Sequence, residues 1–207
     1  MNMNVLLING SPHAKGCTYT ALSEIEKTLR ENGIDTELIH VGHKDIHGCI
    51  ACGKCMETGK CVFNDLVNEV APKFEAADGI VIGSPVYYAS IAGGLKSFLD
   101  RLFYSTRFDK RMKVGAAVTS ARRAGTIATF DIINKYFSIT QMPIATSFYW
   151  NEVHGANAEQ VVQDEEGMQC MRQLGRNMAF LIRAIAAEKA LNGLPEQEPR
   201  VWTNFIR

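Results

Sequence analysis

The sequence lacks an excess of charge of either sign, because its 22 lysine and arginine residues balance 22 aspartate and glutamate residues. Surfaces that bind nucleic acid or anionic membranes normally carry a cationic excess, so we expect neither partner. Long hydrophobic runs are also missing at the start, where "MNMNVLLING" has a short apolar core and no basic leader. We therefore expect neither a signal peptide nor a membrane anchor, a cytoplasmic location, and small-molecule partners.

The apolar residues fall into five runs rich in branched side chains, which predict five buried strands. These runs are residues 4–9, 36–41, 79–84, 113–120 and 143–148. The stretches with a helical period are residues 18–32, 65–76, 92–105, 126–140 and 163–191. Strict alternation of strand and helix predicts an α/β fold, a doubly wound five-stranded parallel sheet with helices on both faces. Ligands of such sheets bind beyond the carboxyl ends of the strands.

The chain length favours one domain, because 207 residues with 46% hydrophobic content suffice for one buried core and are short for two. We predict a single domain over residues 1–207, with a cysteine-rich insert at 45–64 and an extended tail at 192–207. The tail carries Trp202, Phe205 and Ile206 without a helical period. Such apolar residues usually cover a surface, so we expect a homodimer or homotetramer.

The loop after the first strand, "GSPHAKGCT" at residues 10–18, leads into a helix. Free backbone N–H groups and the helix dipole favour an anion there, and Ser11, Thr18 and Thr20 add hydroxyl donors. The loop matches neither a Walker A sequence nor G-x-G-x-x-G, which disfavours ATP and a Rossmann-bound dinucleotide. We predict a phosphate site, with an ordinary Ser/Thr-capped helix start as the alternative.

Two further loops follow the third and fourth strands at the same predicted edge of the sheet. Their candidate ligand-contacting residues are Pro85, Tyr87, Tyr88, Ser120, Arg122 and Arg123. The tyrosines offer flat faces to a planar ring, and the arginines can neutralise a ring that gains negative charge on reduction. Packing or interface aromatics, and arginines on a solvated surface, are the alternatives.

Four of the six cysteines crowd into "HGCIACGKCMETGKC" at residues 47–61, with the spacing C-x2-C-x2-C-x5-C. They are Cys49, Cys52, Cys55 and Cys61. A reducing cytoplasm disfavours disulfides, and a short loop can direct several sulfurs at one metal centre. An iron-sulfur cluster, free thiols and zinc remain open, although zinc ribbons usually use two well-separated C-x2-C pairs.

Two stretches of the chain resemble the flavodoxin-like NAD(P)H-dependent FMN reductases. "NGSPHAKGCTYTAL" is similar to that family's phosphate loop and "GSPVYYASIAGGLKSFLDRLFY" to its second signature, within a likeness spanning residues 3–190. The resemblance implies that the FMN phosphate lies among Ser11, His13, Cys17, Thr18 and Thr20. It also implies that the isoalloxazine ring lies against Pro85, Val86, Tyr87 and Tyr88. At two of the phosphate positions the chain departs from the family, with a histidine for the usual arginine and a cysteine for the usual asparagine.

Within that family the likeness is strongest to the iron-sulfur flavoproteins, whose compact cysteine motif also precedes the second main helix. The resemblance implies a 4Fe-4S cluster on Cys49, Cys52, Cys55 and Cys61 that exchanges single electrons with FMN. The glycine-rich loop that follows the fourth strand in those proteins is shorter here and poorer in glycine. Relatives that are plain flavin reductases also carry cysteines in this loop, so the motif alone leaves the cluster open.

Two residues outside these loops carry expectations of their own. Cys170 lies on the last predicted helix and is expected to be a small core residue. His154 is expected near a loop at the sheet edge, either as a proton donor to substrate or as a surface or interface residue. The other histidines around the second strand are too scattered to form a convincing ligand set.

Together these features predict an FMN-binding oxidoreductase that takes a hydride from NADH or NADPH and reduces a small acceptor. Quinones, nitro or azo compounds and free flavin are the acceptors we consider. FMN supplies the chemistry, so we expect no catalytic acid, base or nucleophile from the protein. One alternative is an electron-transfer protein in which a ferredoxin feeds single electrons through the cluster to FMN. Another is an FMN-binding sensor or scaffold.

Overall fold

The computed structural model of the chain describes residues 3–205. Its strands are β1 Asn4–Asn9, β2 Asp35–His40, β3 Gly79–Pro85, β4 Val114–Ala121 and β5 Glu152–His154. All neighbouring strands pair in parallel, in the order β2-β1-β3-β4-β5. The predicted doubly wound parallel sheet is therefore confirmed, and its strand order reverses between β1 and β3, where such sheets bind ligands.

Helices cover both faces of this sheet, as the sequence pattern predicts. They are α1 Cys17–Glu31, α2 Lys54–Thr58, α3 Leu66–Ala76, α4 Gly93–Ser105, α5 Thr126–Ile139, α6 Ala158–Gln163 and α7 Glu165–Asn192. Alternate side chains of β1 point to opposite faces. Val5 and Leu7 pack into a core with α1 and α7, whereas Leu6 and Ile8 pack into a second core with α3, α4 and α5.

The fifth strand lies later in the chain than the sequence pattern predicts. In the predicted stretch 143–148, the contact with the sheet is an isolated bridge between Gly115 and Ile144. The strand itself is β5, which pairs with residues 119–121 of β4. The prediction was wrong because β5 has one buried apolar residue, Val153, between two polar ones, and so short a strand gives no periodic signal.

The long final helix predicted over residues 163–191 is α7, and a short helix that the sequence pattern did not predict, α6, ends directly before it, with Asp164 between the two. The Asp164 carboxylate accepts the backbone N–H of Gly167 at 2.9 Å and that of His154 at 2.6 Å. These bonds cap α7 and tie its start to β5. A short helix, α2, also forms inside the predicted cysteine-rich insert.

The C-terminal tail continues from the end of α7 without regular structure. Residues 193–205 form neither helix nor strand, and Trp202 and Phe205 are exposed. Ile206 lies outside the described residues. The single domain with its insert and tail, and the homodimer or homotetramer, stay predictions. Across residues 3–205, no helix combines the length and the apolar character that a membrane span requires.

Candidate functional site

A cavity of about 710 Å³ opens at the carboxyl edge of the sheet, between the loops that follow β1, β3, β4 and β5. Most residues predicted to contact a ligand line it. They are Ser11, His13, Cys17, Thr18, Pro85, Val86, Tyr87, Ser120 and Arg122. The fold thus gathers the three predicted loops around one space at the switch in strand order.

Three residues predicted to contact the ligand do not line this cavity: Thr20, Tyr88 and Arg123. The hydroxyl of Thr20 donates to the carbonyl of Gly16 at 3.2 Å, within the first turn of α1. The Tyr88 side chain is fully exposed, and Arg123 is exposed as well. Tyr88 and Arg123 each directly follow a lining residue, and Thr20 lies one position further along α1, so their different orientations come from the local backbone.

One wall of the cavity combines buried hydroxyl groups with the start of α1. Thr18 Oγ1 and Ser120 Oγ lie 2.8 Å apart, and both residues are buried. Gly16, at the N-cap, provides no side-chain cap, and the first turn of α1 has no acidic residue. Since the first N–H groups of a helix have no partner within it, this wall can receive an anion along a favourable helix dipole.

The charged side chains that line this cavity are two cations and one carboxylate. Lys15, which the sequence analysis did not single out, joins Arg122 and the imidazole of His13 in the lining, and Glu159 is the single lining carboxylate. The loop is held in shape by the N–H of His13, which donates to the Ser11 hydroxyl at 3.2 Å. Hydroxyls, helix N–H groups and cations together are the donor set that a phosphate monoester accepts.

The turn after β3 sends its two adjacent tyrosines to different places. Tyr87 and Ser90 exchange backbone hydrogen bonds of 2.9 and 3.1 Å. Between them, Tyr88 and Ala89 have φ angles of +54° and +66°. Two consecutive positive φ angles are typical of a type I′ turn. As a result Tyr87 lines the cavity at 46% exposure, while Tyr88 points into solvent.

Gly125, the N-cap of α5, supports this turn from the neighbouring loop. Its φ is +92°, and a Cβ placed there would lie 2.7 Å from Val86 Cγ1 and 3.0 Å from Ala89 Cα. A side chain at position 125 would strain its own backbone and displace the turn that holds Tyr87. The glycine therefore keeps the loop after β4 close against the loop after β3.

The loop after β5 supplies a part of the cavity wall that the sequence analysis missed. Its lining residues are Gly155, Ala156, Asn157, Ala158 and Glu159. Asn157 caps α6 by accepting the N–H of Gln160 at 2.9 Å. The loop was missed because the fifth strand was predicted too early. An asparagine shortly after a glycine, as a helix start signal, could have identified it.

The Cys17 thiol is a neutral part of this wall. Its Sγ donates to the carbonyl of Gly155 at 3.5 Å. Burial raises the pKa of the Cys17 thiol, its own backbone N–H partly opposes this, and the negative charge of Glu159 raises it further. At neutral pH the thiol stays protonated, so it contributes packing and a weak hydrogen bond rather than a nucleophile.

A second cavity, of about 350 Å³, is lined by all four clustered cysteines. Cys49 and Cys52 are exposed, Cys55 is buried and Cys61 is partly buried. Within residues 3–205, no three His, Cys, Asp or Glu side chains converge closely enough to hold a single metal ion. Zinc draws its sulfur ligands to about 2.3 Å, whereas a 4Fe-4S cluster spreads four cysteines over a larger body. The donor set and the shared cavity fit the cluster.

Sharp turns bring this cysteine segment back on itself. Ala51 has a φ of +53°, and Gly53 and Gly59, on either side of α2, have φ angles of +73° and +69°. A non-glycine residue in the left-handed region is uncommon, and such positions concentrate at functional sites. The turns allow four sulfurs from a short segment to line one cavity.

The cysteine cavity lies some distance from the cavity at the sheet edge. It contacts α4 from Asp100 to Ser105, whereas α4 begins at Gly93 beside the loop after β3. The eight steps from Gly93 to Arg101 span about 12 Å along a helix axis. The cysteine cavity thus lies on the face of the sheet that packs α3 and α4, and no residue of α4 lines the cavity at the sheet edge.

The two residues considered outside these loops lie close to one another. Cys170 is 3% exposed within the core of α1 and α7, which confirms the prediction of a core residue. His154 lies near Asp164, with 4.0 Å between Nδ1 and Oδ2, and lines a small pocket instead of the cavity at the sheet edge. A direct proton transfer from His154 to a ligand in the large cavity therefore has no geometric support.

Comparisons with known proteins identify the family of the chain. Residues 3–156 match the family described as NADPH-dependent FMN reductase. An iron-sulfur flavoprotein of Methanocaldococcus jannaschii is 34% identical over 191 residues, which cover 88% of this chain and 99% of that protein. Another iron-sulfur flavoprotein, of Methanosarcina thermophila, is 27% identical over 188 residues, or 88% of this chain and 97% of that protein.

A solved structure extends the comparison to the fold. RosB, bound to the intermediate 8-demethyl-8-formylriboflavin-5'-phosphate, has a TM-score of 0.70 at 13% identity, covering 99% of this chain and 92% of its own. At that identity the likeness shows the shared flavodoxin-like fold alone. The family match, over more than half of the sequence, and the iron-sulfur flavoprotein relatives go further. The chain belongs to the NADPH-dependent FMN reductase family, a family of FMN-binding oxidoreductases, and is related within it to the iron-sulfur flavoproteins.

Proposed function

We propose that this protein binds FMN in the cavity of about 710 Å³ and uses it to pass electrons from NADH or NADPH to a small acceptor. The observation that carries the proposal is the wall where the uncapped start of α1 meets the buried hydroxyls of Thr18 and Ser120. That wall suits a phosphate, and the rest of the cavity suits a planar ring. Bound FMN would supply the redox chemistry, as a hydride acceptor and a donor of one or two electrons.

The residues of the chain have binding and orienting roles in this proposal. Ser11, Thr18 and the first N–H groups of α1 hold the phosphate, with Lys15 adding positive charge and His13 a ring N–H donor. Pro85, Val86 and Tyr87 support the ring, because the turn after β3 directs them into the cavity. Arg122, from the loop after β4, offsets negative charge that develops on the ring during reduction.

No side chain is assigned as an acid, base or nucleophile. The one thiol in the cavity, Cys17, is held protonated by burial, and His154 lines a different pocket. Tyr87, at 46% exposure, stands at the border of the cavity, where a nicotinamide or an acceptor would approach. Quinones, nitro and azo compounds and free flavin are the acceptors that suit such an open, ring-binding site.

A second candidate function rests on the cysteine cavity. Its four thiols are the ligand set of a 4Fe-4S cluster, which exchanges single electrons. In this version, reduced ferredoxin delivers electrons to a cluster on Cys49, Cys52, Cys55 and Cys61, and FMN receives them. The iron-sulfur flavoprotein relatives support this version. Electron transfer to FMN would run within one chain or across an interface between two.

An anaerobic reduction experiment separates the candidates. Protein carrying FMN is mixed with NADPH, NADH or reduced ferredoxin, and the flavin absorbance is followed over time. Rapid bleaching by a pyridine nucleotide, followed by multiple turnovers of a quinone, is the result that we expect. Bleaching by ferredoxin alone would support the second candidate and contradict the first. If neither kind of donor bleaches the flavin, both electron-transfer candidates are contradicted and the FMN-binding sensor or scaffold is the remaining alternative.

The double variant Cys49→Ser, Cys52→Ser provides the matched control, because both side chains are exposed and their loss costs little packing. Reduction by NADPH should be unaffected in this variant. Reduction by ferredoxin should be lost, since two of the four cluster ligands are gone. Loss of NADPH reduction in a variant that still binds FMN would contradict a direct hydride transfer to the flavin.

A further inference from the structure

Arg101 of α4 is 1% exposed although its guanidinium is permanently charged. All five of its N–H donors have acceptors. Nε donates to Cys61 Sγ at 3.1 Å, and the two terminal nitrogens donate to the carboxylate of Asp65 at 2.7 and 2.9 Å. The remaining two donors reach the carbonyls of His47 and Phe63, both at 3.2 Å. The Arg101 guanidinium therefore has no N–H donor left for a further partner.

These partners lie at both ends of the cysteine segment. His47 precedes Cys49 by two residues, and Phe63 follows Cys61 by two. The Asp65 carboxylate, which pairs with Arg101, also accepts the N–H of Val67 and so caps α3. One buried guanidinium thus joins the entry and the exit of the segment to α3 and α4.

Cys61 is held at three points, unlike the other clustered cysteines. Its sulfur accepts from Arg101, its N–H donates to Asn68 Oδ1 at 3.0 Å, and its carbonyl accepts from Asn68 Nδ2 at 2.9 Å. Cys49 and Cys52, in contrast, are exposed and lie near the strained turn at Ala51. The two ends of the cysteine segment therefore differ, because Cys61 is fixed whereas Cys49 and Cys52 are loosely held; Cys55, between them, is buried on α2.

We infer that Arg101 is a positioning residue, which fixes Cys61 before any cofactor binds and which tunes a cluster held there through its N–H to sulfur bond. This inference rests on the cysteine site of the proposed function. A hydrogen bond to a ligating sulfur, from a cationic donor, stabilises the more negative reduced cluster and raises its reduction potential. An arginine that served only to cap α3 through Asp65 would not affect that potential.

The test uses the full chain with FMN bound and three variants. Arg101→Gln removes the charge, while Arg101→Lys keeps the charge but cannot reach all five acceptors. Arg107→Gln is the matched control, because Arg107 is exposed and donates to Met56 Sδ of α2 instead of a cysteine. FMN content and a cooperative thermal transition identify the variants that fold.

The first measurement is amide hydrogen exchange in the iron-free protein. In the wild type, residues around Cys61 should exchange slowly and those around Cys49 and Cys52 rapidly. Both Arg101 variants should raise exchange around Cys61 by about 10- to 100-fold, the factor expected for losing a hydrogen bond to a charged group. Arg107→Gln should match the wild type. Uniformly rapid exchange across residues 47–64 of the wild type would overturn the inference even if neither Arg101 variant folded.

The second measurement follows reconstitution with ferrous iron and sulfide. Iron should be lost to a chelator about 10- to 100-fold faster from the Arg101 variants, the usual cost of removing a partner of a metal ligand. The cluster of Arg101→Lys should have a lower reduction potential than that of the wild type. Equal iron retention and equal potential would contradict the inference. If the wild type takes up no iron, the proposed cluster and the proposed effect of Arg101 on its reduction potential are both contradicted. The exchange pattern still decides whether Arg101 fixes Cys61.

Discussion

At the scale of the residue, Thr18 is the side chain most directly committed to phosphate binding in this account. Its buried hydroxyl lies 2.8 Å from that of Ser120, at the open start of α1. Thr18→Val keeps the shape and removes one hydrogen bond to a charged group, so FMN should bind with about 1.5 to 3 kcal/mol less free energy, or about 10- to 100-fold more weakly.

Thr20→Val is the control for this measurement, because the Thr20 hydroxyl donates to the carbonyl of Gly16 and does not line the cavity. Fluorescence titration of the flavin-free proteins gives both dissociation constants. Thr20→Val should bind FMN nearly as tightly as the wild type. Equal affinities for the two variants would place the phosphate elsewhere in the cavity.

The sequence alone could not distinguish between two adjacent residues of the same type. "YY" and "RR" each offered two equivalent candidates, yet Tyr87 and Arg122 line the cavity and Tyr88 and Arg123 do not. The choice between the tyrosines depends on the positive φ of Tyr88 and Ala89, which turns the second side chain outward. Residue type and spacing carry no information about this dihedral angle when neither turn residue is a glycine or an asparagine.

At the scale of the element, strands and loops with long apolar patterns were predictable and short ones were not. The buried runs of β1, β3 and β4 correctly placed three of the loops that line the large cavity. β5 has three residues with a single buried one, so its position and the cavity loop behind it were both missed. The cysteine spacing located the second cavity. The contacts of Arg101 were not predictable, because they depend on how α3 and α4 pack and no local sequence pattern contains that information.

The end of α4 provides a prediction about pH. Lys110, only 7% exposed, donates from Nζ to the carbonyl of Thr106, the C-cap, at 2.8 Å. Burial is the main cause that lowers the pKa of Lys110 from 10.5 to about 8, and the charge of Arg107 adds to it. Between these two pKa values the unfolded chain binds a proton that the folded chain has released. Folding stability therefore rises with pH through this window, because deprotonation relieves the cost of a buried charge.

Lys110→Met removes this titration. From pH 8 to pH 10.5 the free energy of unfolding of the wild type should rise relative to that of the variant by about 2 to 3 kcal/mol, and below pH 8 the difference should stay constant. Urea denaturation at several pH values gives both free energies. Lys27→Met, at a side chain 68% exposed, is the control and should show no such trend. A difference independent of pH for Lys110→Met would contradict the assigned burial.

At the scale of the whole molecule, the exposed tail predicts association between chains. Val201, Trp202 and Phe205 are 90%, 75% and 92% exposed, although the base of the tail is tied down by Arg111, which donates to the carbonyl of Pro195 at 3.1 Å. An anchored segment with exposed aromatic side chains is well suited to cover a neighbouring copy. We expect the wild type to sediment as a dimer or tetramer.

The variant Trp202→Ser, Phe205→Ser should shift the mass towards a single chain in sedimentation equilibrium, with the fold and FMN content unchanged. Val162→Ser, at an apolar side chain 61% exposed on α6, is the control and should keep the wild-type mass. A wild type that sediments as a single chain, or a tail variant with the same mass as the wild type, would contradict the expectation.

The two candidate functions together propose two redox sites on one chain, FMN at the sheet edge and a cluster on the four cysteines whose cavity contacts α4. The most direct test is the iron, sulfide and flavin content of anaerobically reconstituted protein, together with its absorption spectrum. We expect about one FMN and about four irons per chain, as for a 4Fe-4S cluster, with broad visible absorption beyond that of the flavin. The variant Cys49→Ser, Cys52→Ser should keep the flavin and lose the iron. Protein that binds FMN but takes up no iron after reconstitution would contradict the two-site account.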